Sequence, residues 1–443
     1  MKPKIVTRIA PSPTGLFHIA TARVALFNYL FARQNDGKFI FRIDDTDTER
    51  STPTFTKDLI DSMNWLGLDY DEIYYQSQRT AIYKAKLEEL LASDQIYWSQ
   101  ETEIKEGEKA EVLRFRNSGT KIIFEDIVHG SIEFDTAELG DFVVAKDLDT
   151  PLYHFASVVD DFLLGVTHVI RGEDHISNTP RQILMLEALG GSRPTYAHLP
   201  IILAPDKTKL SKRHHGQIAA VSEYRRLGYL SEAVVNFVAM LGWSPQSLKD
   251  DPNQEILSLA NLLKKFDLSK TQKSGAILNI EKLDWLNREY LKKLTPTEFK
   301  KLAQEFLPTE FTTKSWYQEK IMDKLWPLIA ERINRLGEIT DLIKNGELDF
   351  FFVAPKPSVE LLKTTEYLGE VEARLATLSA DDFSAEKIKD VIWDFATEQG
   401  RGRVLWPLRV ALSGLEKSPD PFTIAAILGQ TETLTRLTYA RTI

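Results

Sequence analysis

The chain contains no cysteine among its 443 residues. Disulfide bonds, thiolate-bound zinc and iron–sulfur clusters are therefore excluded, and this composition favours a cytoplasmic protein. No apolar run approaches the roughly 20 residues that a membrane-spanning helix needs, so we expect no membrane segment. The first residues lead directly into patterned sequence, and we expect no secretory signal.

The chain also has fewer positive than negative charges, with a net charge of −9 at pH 7. Such a chain is not expected to coat nucleic acid indiscriminately, although a local basic face remains compatible with it. Residues 261–300 carry nine lysines and arginines against five acidic residues, which gathers some positive charge in the C-terminal half. The length allows about two to four domains.

The most informative stretch lies near the start of the chain. Lys4–Ile9 has the pattern of a strand, Pro11 and Pro13 hold the next segment extended, and Gly15 permits a tight turn. Thr21–Arg33 then has the apolar spacing of a helix. A strand, a turn of small residues and a helix N-terminus together form a site that attracts anions.

His18 lies in this turn, where it could donate a hydrogen bond to a phosphate oxygen. An ordinary strand–turn–helix with a packed histidine is the alternative on this stretch alone. A second strand, Lys38–Ile43, ends in the acidic run Asp44–Asp47. Acidic residues after a strand lie where open α/β sheets place their ligands.

Further strand and helix signals alternate through the first half of the chain. We predict helices at Thr56–Leu66, Arg79–Ser93 and Thr179–Gly190, and strands at Tyr153–Val159, Thr167–Arg171 and His198–Leu203. Between them, residues 95–150 change character. We predict there a small separate unit with strands at Lys121–Val128, Ser131–Asp135 and Asp141–Ala145.

Beyond Gly216 we predict no further parallel strand. From Thr295 onward the pattern is mainly helical, with helices expected at Glu319–Leu336, Ser384–Gln399 and Pro421–Leu428.

A polar loop, Lys209–Arg213, carries two lysines three positions apart. Both could reach one polyphosphate and neutralise charge that develops during phosphoryl or nucleotidyl transfer. The eight-residue glycine-rich pattern of P-loop ATPases is absent, which disfavours that class. A lone basic loop is ordinarily solvated surface, so its meaning depends on the other motifs of the chain.

Five motifs follow one another in a fixed order. They are the turn Pro11-x-Pro13-Thr14-Gly15-x-x-His18, then Asp44-Asp45-Thr46-Asp47, Val158-Val159-Asp160-Asp161, Arg171-Gly172-Glu173-Asp174-His175 and Lys209-Leu210-Ser211-Lys212-Arg213. This ordered set resembles the bacterial-type glutamyl-tRNA synthetases, a family of class I aminoacyl-tRNA synthetases. Residues 18–21 are similar to the HIGH element of that family, and residues 209–213 to its KMSKS element.

The resemblance implies an α/β fold: a Rossmann-like class I synthetase catalytic domain with a small inserted α/β unit, followed by a mainly α-helical C-terminal anticodon-binding region. The implied divisions are a catalytic first half at 1–94, an inserted acceptor-end-binding unit at 95–150, a catalytic second half at 151–215, a stem-contact region at 216–300 and a helical anticodon-binding region at 301–443.

The implied activity is the ATP-dependent attachment of L-glutamate to tRNA through a glutamyl-adenylate, with Mg²⁺ accompanying ATP and with a monomeric enzyme. The sequence leaves open whether the glutamate tRNA alone or also the glutamine tRNA is charged. A tRNA-binding paralogue without ligase activity and a nucleotidyltransferase acting on a small molecule are the alternatives. Intact His18, Lys209 and Lys212 disfavour the first, and the long helical region disfavours the second.

The resemblance also assigns site residues. His18, Lys209 and Lys212 are the implied catalytic residues, and Thr14, Gly15, Thr21 and Asp174 complete the ATP site together with His18 and Lys212. The implied glutamate contacts are Arg8, Ala10, Ser12, Asp44, Tyr153, Ser157 and Arg171. Candidate tRNA contacts are Arg401, Arg403 and Arg409, with Arg436 and Arg441 as further possibilities. For Arg171 the alternative is a structural salt bridge with Glu173 or Asp174.

Two departures from the family pattern stand out. Ala20 replaces the usual glycine of the HIGH element and adds a methyl group near the expected adenine site. Tyr97–Gln100 stands where some relatives carry cysteine zinc ligands, so we expect no zinc.

Overall fold

The computed structural model describes residues 4–101, 110–210, 219–245 and 255–443. The chain divides into two compact units, Met1–Tyr290 and Leu291–Ile443. None of the helices in the described ranges is long and apolar enough to cross a membrane.

The first unit is built on a parallel sheet. Its opening elements are β1 (Val6–Ile9), α1 (Ile19–Gln34), β2 (Lys38–Ile43), α2 (Pro53–Trp65) and β3 (Glu72–Tyr75). The three strands pair in parallel in the order β1-β2-β3. Each connecting helix returns the chain to the end of the sheet where the previous strand began, so the next strand runs in the same direction. Helix α1 begins two residues earlier than the apolar spacing predicted, and β2 has the predicted bounds.

The remaining elements that the described residues of the first unit form include a run of six strands before the alternation resumes. They are α3 (Thr80–Ala92), β4 (Ile96–Gln100), β5 (Glu111–Phe115), β6 (Lys121–Asp126), β7 (Gly130–Asp135), β8 (Phe142–Asp147), β9 (Thr150–Pro151), α4 (Tyr153–Leu163), β10 (His168–Gly172), α5 (Thr179–Ala188), β11 (Thr195–Leu199), β12 (Ile202–Leu203), α6 (Val221–Arg226), α7 (Ser231–Ala239), α8 (Leu259–Lys265), β13 (Ala276–Ile277) and α9 (Ile280–Leu291).

Strand β10 runs beside β1, where the Thr167 N–H donates to the Val6 carbonyl at 3.0 Å. A second sheet has the order β10-β11-β6-β7, and an antiparallel sheet has the order β4-β5-β8-β9. Strand β6 comes from the segment predicted to be a separate unit, yet Asp126 pairs with Tyr196 of β11. The inserted segment therefore shares a sheet with the strands that surround it in sequence.

Three predictions about secondary structure were wrong. The predicted strand Tyr153–Val159 is helix α4, whose residues Phe155–Asp160 are all buried, and the neighbouring β-branched Val158 and Val159 imitate a buried strand. The predicted strand His198–Leu203 is divided into β11 and β12, with Pro200, which lacks an N–H, at the break. Beyond Gly216, the short strand β13 pairs in parallel with β12.

The second unit is helical, as the sequence pattern predicts. Its helices are α10 (Pro296–Gln304), α11 (Thr309–Thr312), α12 (Glu319–Arg332), α13 (Glu338–Lys344), α14 (Val359–Leu362), α15 (Leu368–Ala376), α16 (Ala385–Gln399), α17 (Arg401–Ser413), α18 (Pro421–Leu428) and α19 (Gln430–Arg441). Helix α10 begins with a capping box in which Thr295 and Glu298 satisfy each other's backbone N–H groups. The predicted fold class, an α/β catalytic region followed by a helical C-terminal region, is confirmed.

A buried ionic cluster fastens the parallel sheet to helix α4. At its centre, the fully buried Arg42 donates from Nε to Asp44 at 2.6 Å, from Nη1 to Asp161 at 2.7 Å and from Nη2 to Ser157 Oγ at 2.9 Å. Asp161 also accepts from Nε of Arg8 at 3.1 Å. The cluster therefore joins β1 and β2 to α4 through one guanidinium and one carboxylate.

Asp160 forms the other half of the cluster and is fully buried. Its carboxylate accepts from Nε of Arg79 at 2.7 Å, from Nε2 of Gln76 at 2.9 Å and from the hydroxyl of Tyr83 at 2.8 Å. Because the cluster contains the arginines at 8, 42 and 79 and the aspartates at 44, 160 and 161, its formal charges cancel. Such balance is what permits charged groups to be buried.

We predict that Asp160→Asn destabilises the first unit by about 3–5 kcal/mol, because it leaves buried arginine charge without compensation. The matched control is Asp149→Asn, which breaks the exposed ion pair with Lys84 and should change stability little. Urea unfolding followed by tryptophan fluorescence measures both effects. Equal stability of the two variants would show that the buried cluster does not stabilise the fold.

Candidate active site

A cavity of about 400 Å³ opens at the carboxyl ends of β1 and β10. These strands are neighbours, and the chain continues from β1 toward one side of the sheet and from β10 toward the other. Open α/β sheets bind ligands at the point where the connections diverge in this way. Eight of the residues predicted from the sequence line this cavity: Arg8, Ala10, Ser12, Thr21, Tyr153, Arg171, Asp174 and Lys209. Residues that are more than 200 positions apart in the chain are thereby brought to one site.

The turn between β1 and α1 is held by backbone hydrogen bonds to the segment that follows β2. The Asp44 N–H donates to the Pro11 carbonyl at 3.0 Å, and the Thr52 N–H donates to the Pro13 carbonyl at 3.2 Å. The two prolines cannot donate, so they offer only acceptors to the neighbouring chain. The extended turn is therefore fixed in place without a regular strand pairing.

His18 is the N-cap of helix α1. Its Nδ1 accepts a hydrogen bond from the Ala20 N–H at 3.1 Å, so the neutral imidazole carries its proton on Nε2. The predicted nucleotide residues Thr14 and Gly15 lie in the same turn, and neither they nor His18 line the cavity. Ala20, where the family pattern has glycine, does line it.

Two buried arginines line the cavity and differ in their partners. Arg8 is 4% exposed and its Nε contacts the Asp161 carboxylate, whereas Arg171 is 6% exposed and donates to neutral acceptors. The acceptors of Arg171 are Gln182 Oε1 at 2.6 Å, Thr179 Oγ1 at 2.7 Å, His198 Nε2 at 3.1 Å and the His175 carbonyl at 3.3 Å.

Within the described residues, Arg171 therefore has no ion-pair partner, and the salt bridge to Glu173 or Asp174 that was considered from sequence does not form. Glu173 instead accepts from the Ile201 N–H at 2.9 Å. Burial lowers the pKa of Arg171, although a guanidinium with its ordinary pKa above 12 remains charged at neutral pH. A carboxylate ligand would be the natural partner for this cation.

The resemblance places Asp44 and Ser157 among the glutamate contacts, and this stays a prediction. Neither residue lines the cavity, because both are 2% exposed and both bind Arg42 within the ionic cluster. Burial raises the pKa of Asp44 to about 6, although the contact with Arg42 acts in the opposite direction. These two residues support the cavity from behind.

Lys209 supplies an exposed cation at the cavity, with its Nζ 3.7 Å from the Asp174 carboxylate. Lys212, the other predicted catalytic lysine, lies outside the described residues. In the ranges that the structure covers, no group of three or more histidines, aspartates or glutamates is arranged to hold a metal ion.

Sequence reasoning missed three residues around the cavity. Arg23 of α1 lines it and donates to the Leu241 and Pro200 carbonyls, while Gln182 and His198 bind Arg171 from behind. Arg42 was missed as well, although an arginine inside the apolar run of β2 is a signal for a buried ion pair. The partners of such buried groups lie in distant segments of the chain, and the sequence alone does not show which segments come together.

The candidate tRNA contacts of the second unit lie along helix α17. Each of the three places its guanidinium over an aromatic ring: Arg401 over Trp393 at 4.4 Å, Arg409 over Trp406 at 4.7 Å and Arg403 over Tyr367 at 5.1 Å. Exposed cations interleaved with aromatic rings are typical of surfaces that bind single-stranded nucleic acid.

Two further arginines that were considered from sequence have other partners. Arg436 is 4% exposed and donates to the Phe350 and Leu412 carbonyls, so its contacts in this structure are structural. Arg441 pairs with Glu372 at 2.6 Å at the end of helix α19.

Comparisons with known proteins agree with this geometry. The family model described as "tRNA synthetases class I (E and Q), catalytic domain" matches residues 4–106 and 93–285, and the one described as "Anticodon binding domain" matches residues 298–441. The chain is similar to the glutamate–tRNA ligase of Thermodesulfovibrio yellowstonii, with 39% identity over 97% of this chain and 98% of the relative.

A second relative, the glutamate–tRNA ligase of Syntrophobacter fumaroxidans, is 38% identical over 98% of this chain and 97% of its own length. The crystal structure of a glutamate tRNA ligase from Elizabethkingia meningosepticum in complex with its amino acid matches with a TM-score of 0.85 and 32% identity, covering 99% of both chains. The chain therefore belongs to the glutamate–tRNA ligase family of class I tRNA synthetases.

Proposed function

We propose that this protein is a glutamate–tRNA ligase, which attaches L-glutamate to tRNA at the expense of ATP. The observation that carries the proposal is the buried Arg171, which lines a ligand-sized cavity and, among the residues that the structure describes, contacts neutral groups only. A buried cation without an anionic partner favours binding of a carboxylate, and an amide in its place would leave the charge uncompensated.

Glutamate offers two carboxylates and an ammonium group. We assign carboxylate recognition to Arg8 and Arg171, whose planar donors can form paired hydrogen bonds, and we place Ala10, Ser12 and Tyr153 on the same side of the cavity. The contribution of Asp44 and Ser157 is indirect, because both hold Arg42 and Arg42 holds the aspartate that contacts Arg8.

ATP would occupy the part of the site formed by Thr21, Asp174 and Lys209, near the N-terminus of α1. An oxygen of the glutamate α-carboxylate bonds to the α-phosphorus of ATP while the bond to pyrophosphate breaks, which gives the glutamyl-adenylate. A hydroxyl of the terminal adenosine of tRNA then attacks the glutamyl carbonyl carbon, and AMP leaves. Lys209 and Lys212 would offset the negative charge that develops on the phosphates, and the Nε2–H of His18 would donate a hydrogen bond to a phosphate oxygen.

Mg²⁺ would accompany ATP and neutralise phosphate charge. The donor set on the protein fits such a shared ion, because Asp174 contributes one half-exposed carboxylate and ATP oxygens would supply the rest.

The helical second unit would bind the anticodon region of tRNA. Arg401, Arg403 and Arg409 would contact phosphates or bases, and the rings beneath them would provide stacking surfaces.

Charging assays test the function directly. We predict that the purified chain attaches radiolabelled glutamate to tRNA when ATP and Mg²⁺ are present, and that it discriminates strongly against glutamine because of the arginine-lined site. Purified glutamate and glutamine tRNAs should be compared side by side to establish which of them is charged. Failure of the folded protein to charge either one contradicts the proposal.

Replacing Lys209 by methionine should lower the charging rate by about 10²-fold, because one cation that stabilises the developing phosphate charge is lost. Lys207→Met is the matched control, since Lys207 is exposed in the same loop and does not line the cavity. Initial rates at saturating substrates measure both. A Lys209→Met enzyme as fast as the control would remove Lys209 from the site.

The two histidines near the cavity give a prediction about pH. Burial, with smaller contributions from neighbouring cations, lowers the pKa of His154 and of His175 from 6.5 to about 4. The unfolded chain therefore binds more protons than the folded chain between pH 6.5 and 4, so the free energy of unfolding falls as the pH drops through that window.

We predict a loss of about 1–2 kcal/mol per histidine on going from pH 7 to pH 5, after discounting for partial exposure. His154→Gln should remove its share and flatten the dependence of the unfolding midpoint on pH. The interval from pH 8 to 9 serves as the internal control, because both histidines are almost fully deprotonated there in the folded and the unfolded chain. Parallel curves for the parent and the variant between pH 7 and 5 would contradict the assignment.

A further inference from the structure

A chain of three buried side chains leads to Arg171 from behind the cavity. The Nδ1 of His198 lies 2.7 Å from Oδ2 of Asp126, and the Nε2 of His198 accepts from the Arg171 Nε at 3.1 Å. The side chains of His198 and Asp126 are completely buried. The chain thus runs from β6 through β11 to β10.

The hydrogen bonds fix the state of each group. Nδ1 of His198 must carry a proton because it faces a carboxylate, and Nε2 must lack one because it faces an N–H of Arg171. His198 is therefore neutral, in agreement with the burial that lowers its pKa. A proton on Nε2 would oppose the Arg171 N–H and would have to turn toward Thr179 Oγ1, which lies 3.2 Å from the same nitrogen.

We propose that Asp126 and His198 are positioning residues for glutamate binding, which orient Arg171 toward the substrate carboxylate without neutralising it. This inference rests on the proposed function. Gln182 and Thr179 bind the Nη1 and Nη2 atoms of Arg171, while His198 holds Nε, so the plane of the guanidinium is fixed by three side chains.

The neutral histidine explains why an aspartate can stand behind the arginine. A carboxylate in direct contact with Arg171 would compete with the substrate for its charge. The acceptor sites of Asp126 are instead occupied by other donors. Oδ1 accepts from the Val128 and His129 N–H groups, and Oδ2 accepts from the backbone and the ring of His198. Burial alone would raise the pKa of Asp126, and these hydrogen bonds lower it instead.

Asp126→Asn reverses this arrangement at nearly constant volume. The amide oxygen would remain with the two backbone N–H groups, so the amide nitrogen would face His198. An NH₂ group donating to Nδ1 selects the other tautomer, which places the proton on Nε2 against the N–H of Arg171. The substitution is therefore expected to misalign Arg171 although Asp126 does not line the cavity.

The test measures charging kinetics of the full chain with glutamate, ATP and tRNA. Asp126→Asn should raise the KM for glutamate by about ten- to a hundredfold, as expected when one hydrogen bond to a charged group is disturbed, and should leave the KM for ATP within about twofold. Asp149→Asn, an exposed aspartate of the same inserted segment, should leave both constants unchanged.

Two substitutions of His198 keep the inference testable if Asp126→Asn does not fold. His198→Gln places a carbonyl oxygen at the same number of bonds from Cα as Nε2 and retains an acceptor for Arg171. His198→Asn places an N–H at the position of Nδ1 and retains the donor to Asp126, but it leaves Arg171 without that acceptor. We expect the glutamine variant to keep the KM for glutamate within about threefold and the asparagine variant to raise it at least tenfold.

The outcomes are distinct. A parent chain that charges tRNA, with a selective rise in the glutamate KM for Asp126→Asn and for His198→Asn, supports the inference. If the parent chain charges tRNA but the glutamine and asparagine variants lose activity equally, the inference is overturned. A merely structural histidine would not distinguish the two variants. A parent chain that does not charge tRNA overturns the proposed function itself.

Discussion

The contact between Arg42 and Asp161 is the interaction on which the first unit most depends. Arg42 is fully buried in the middle of β2, and Asp161 lies on α4, which is 119 positions further along the chain. Since the same carboxylate contacts Arg8, the orientation of one cavity arginine is set by the pairing of another arginine that never reaches the cavity. Buried charges of this kind tolerate little displacement, so they hold sheet and helix in one arrangement.

The two cavity arginines differ in how their positive charge is balanced. Arg8 shares its charge with Asp161, whereas Arg171 is surrounded by amide, hydroxyl, imidazole and carbonyl acceptors. Neutral acceptors orient a guanidinium and leave its charge for an incoming carboxylate. In the glutamate site that we propose, such an arrangement is preorganised before the ligand binds, which reduces the cost of ordering side chains during binding.

The sequence predicted those parts of the fold that depend on local patterns. Helix α18 has the bounds expected from Pro421 to Leu428, and Pro180 correctly marked the start of α5, because caps and breakers act within a few residues. Helix α4 was predicted as a strand, since its buried stretch Phe155–Asp160 holds aromatic and β-branched residues that also favour strands.

The candidate site was predictable to a similar extent. Eight residues lining the cavity followed from ordered motifs, but the contacts of Asp44 and Ser157 with Arg42 did not, because a motif does not reveal which way a side chain turns. His198 gave no signal at all. Its partners are 72 and 27 positions away, and only the pairing of β6, β11 and β10 brings the three together.

Because the Arg42 cluster is buried, its charges respond to dissolved salt differently from the exposed charges of this molecule. Dissolved salt screens exposed charges, such as Arg401 and Arg403 on helix α17, but it has little effect on ion pairs from which water is excluded. Association with a phosphate backbone therefore weakens as ionic strength rises, while the geometry of the amino-acid site does not change. The exposed Lys209 at the cavity is screened in the same way, so the salt dependence of charging reports on exposed cations and not on the buried ion pairs.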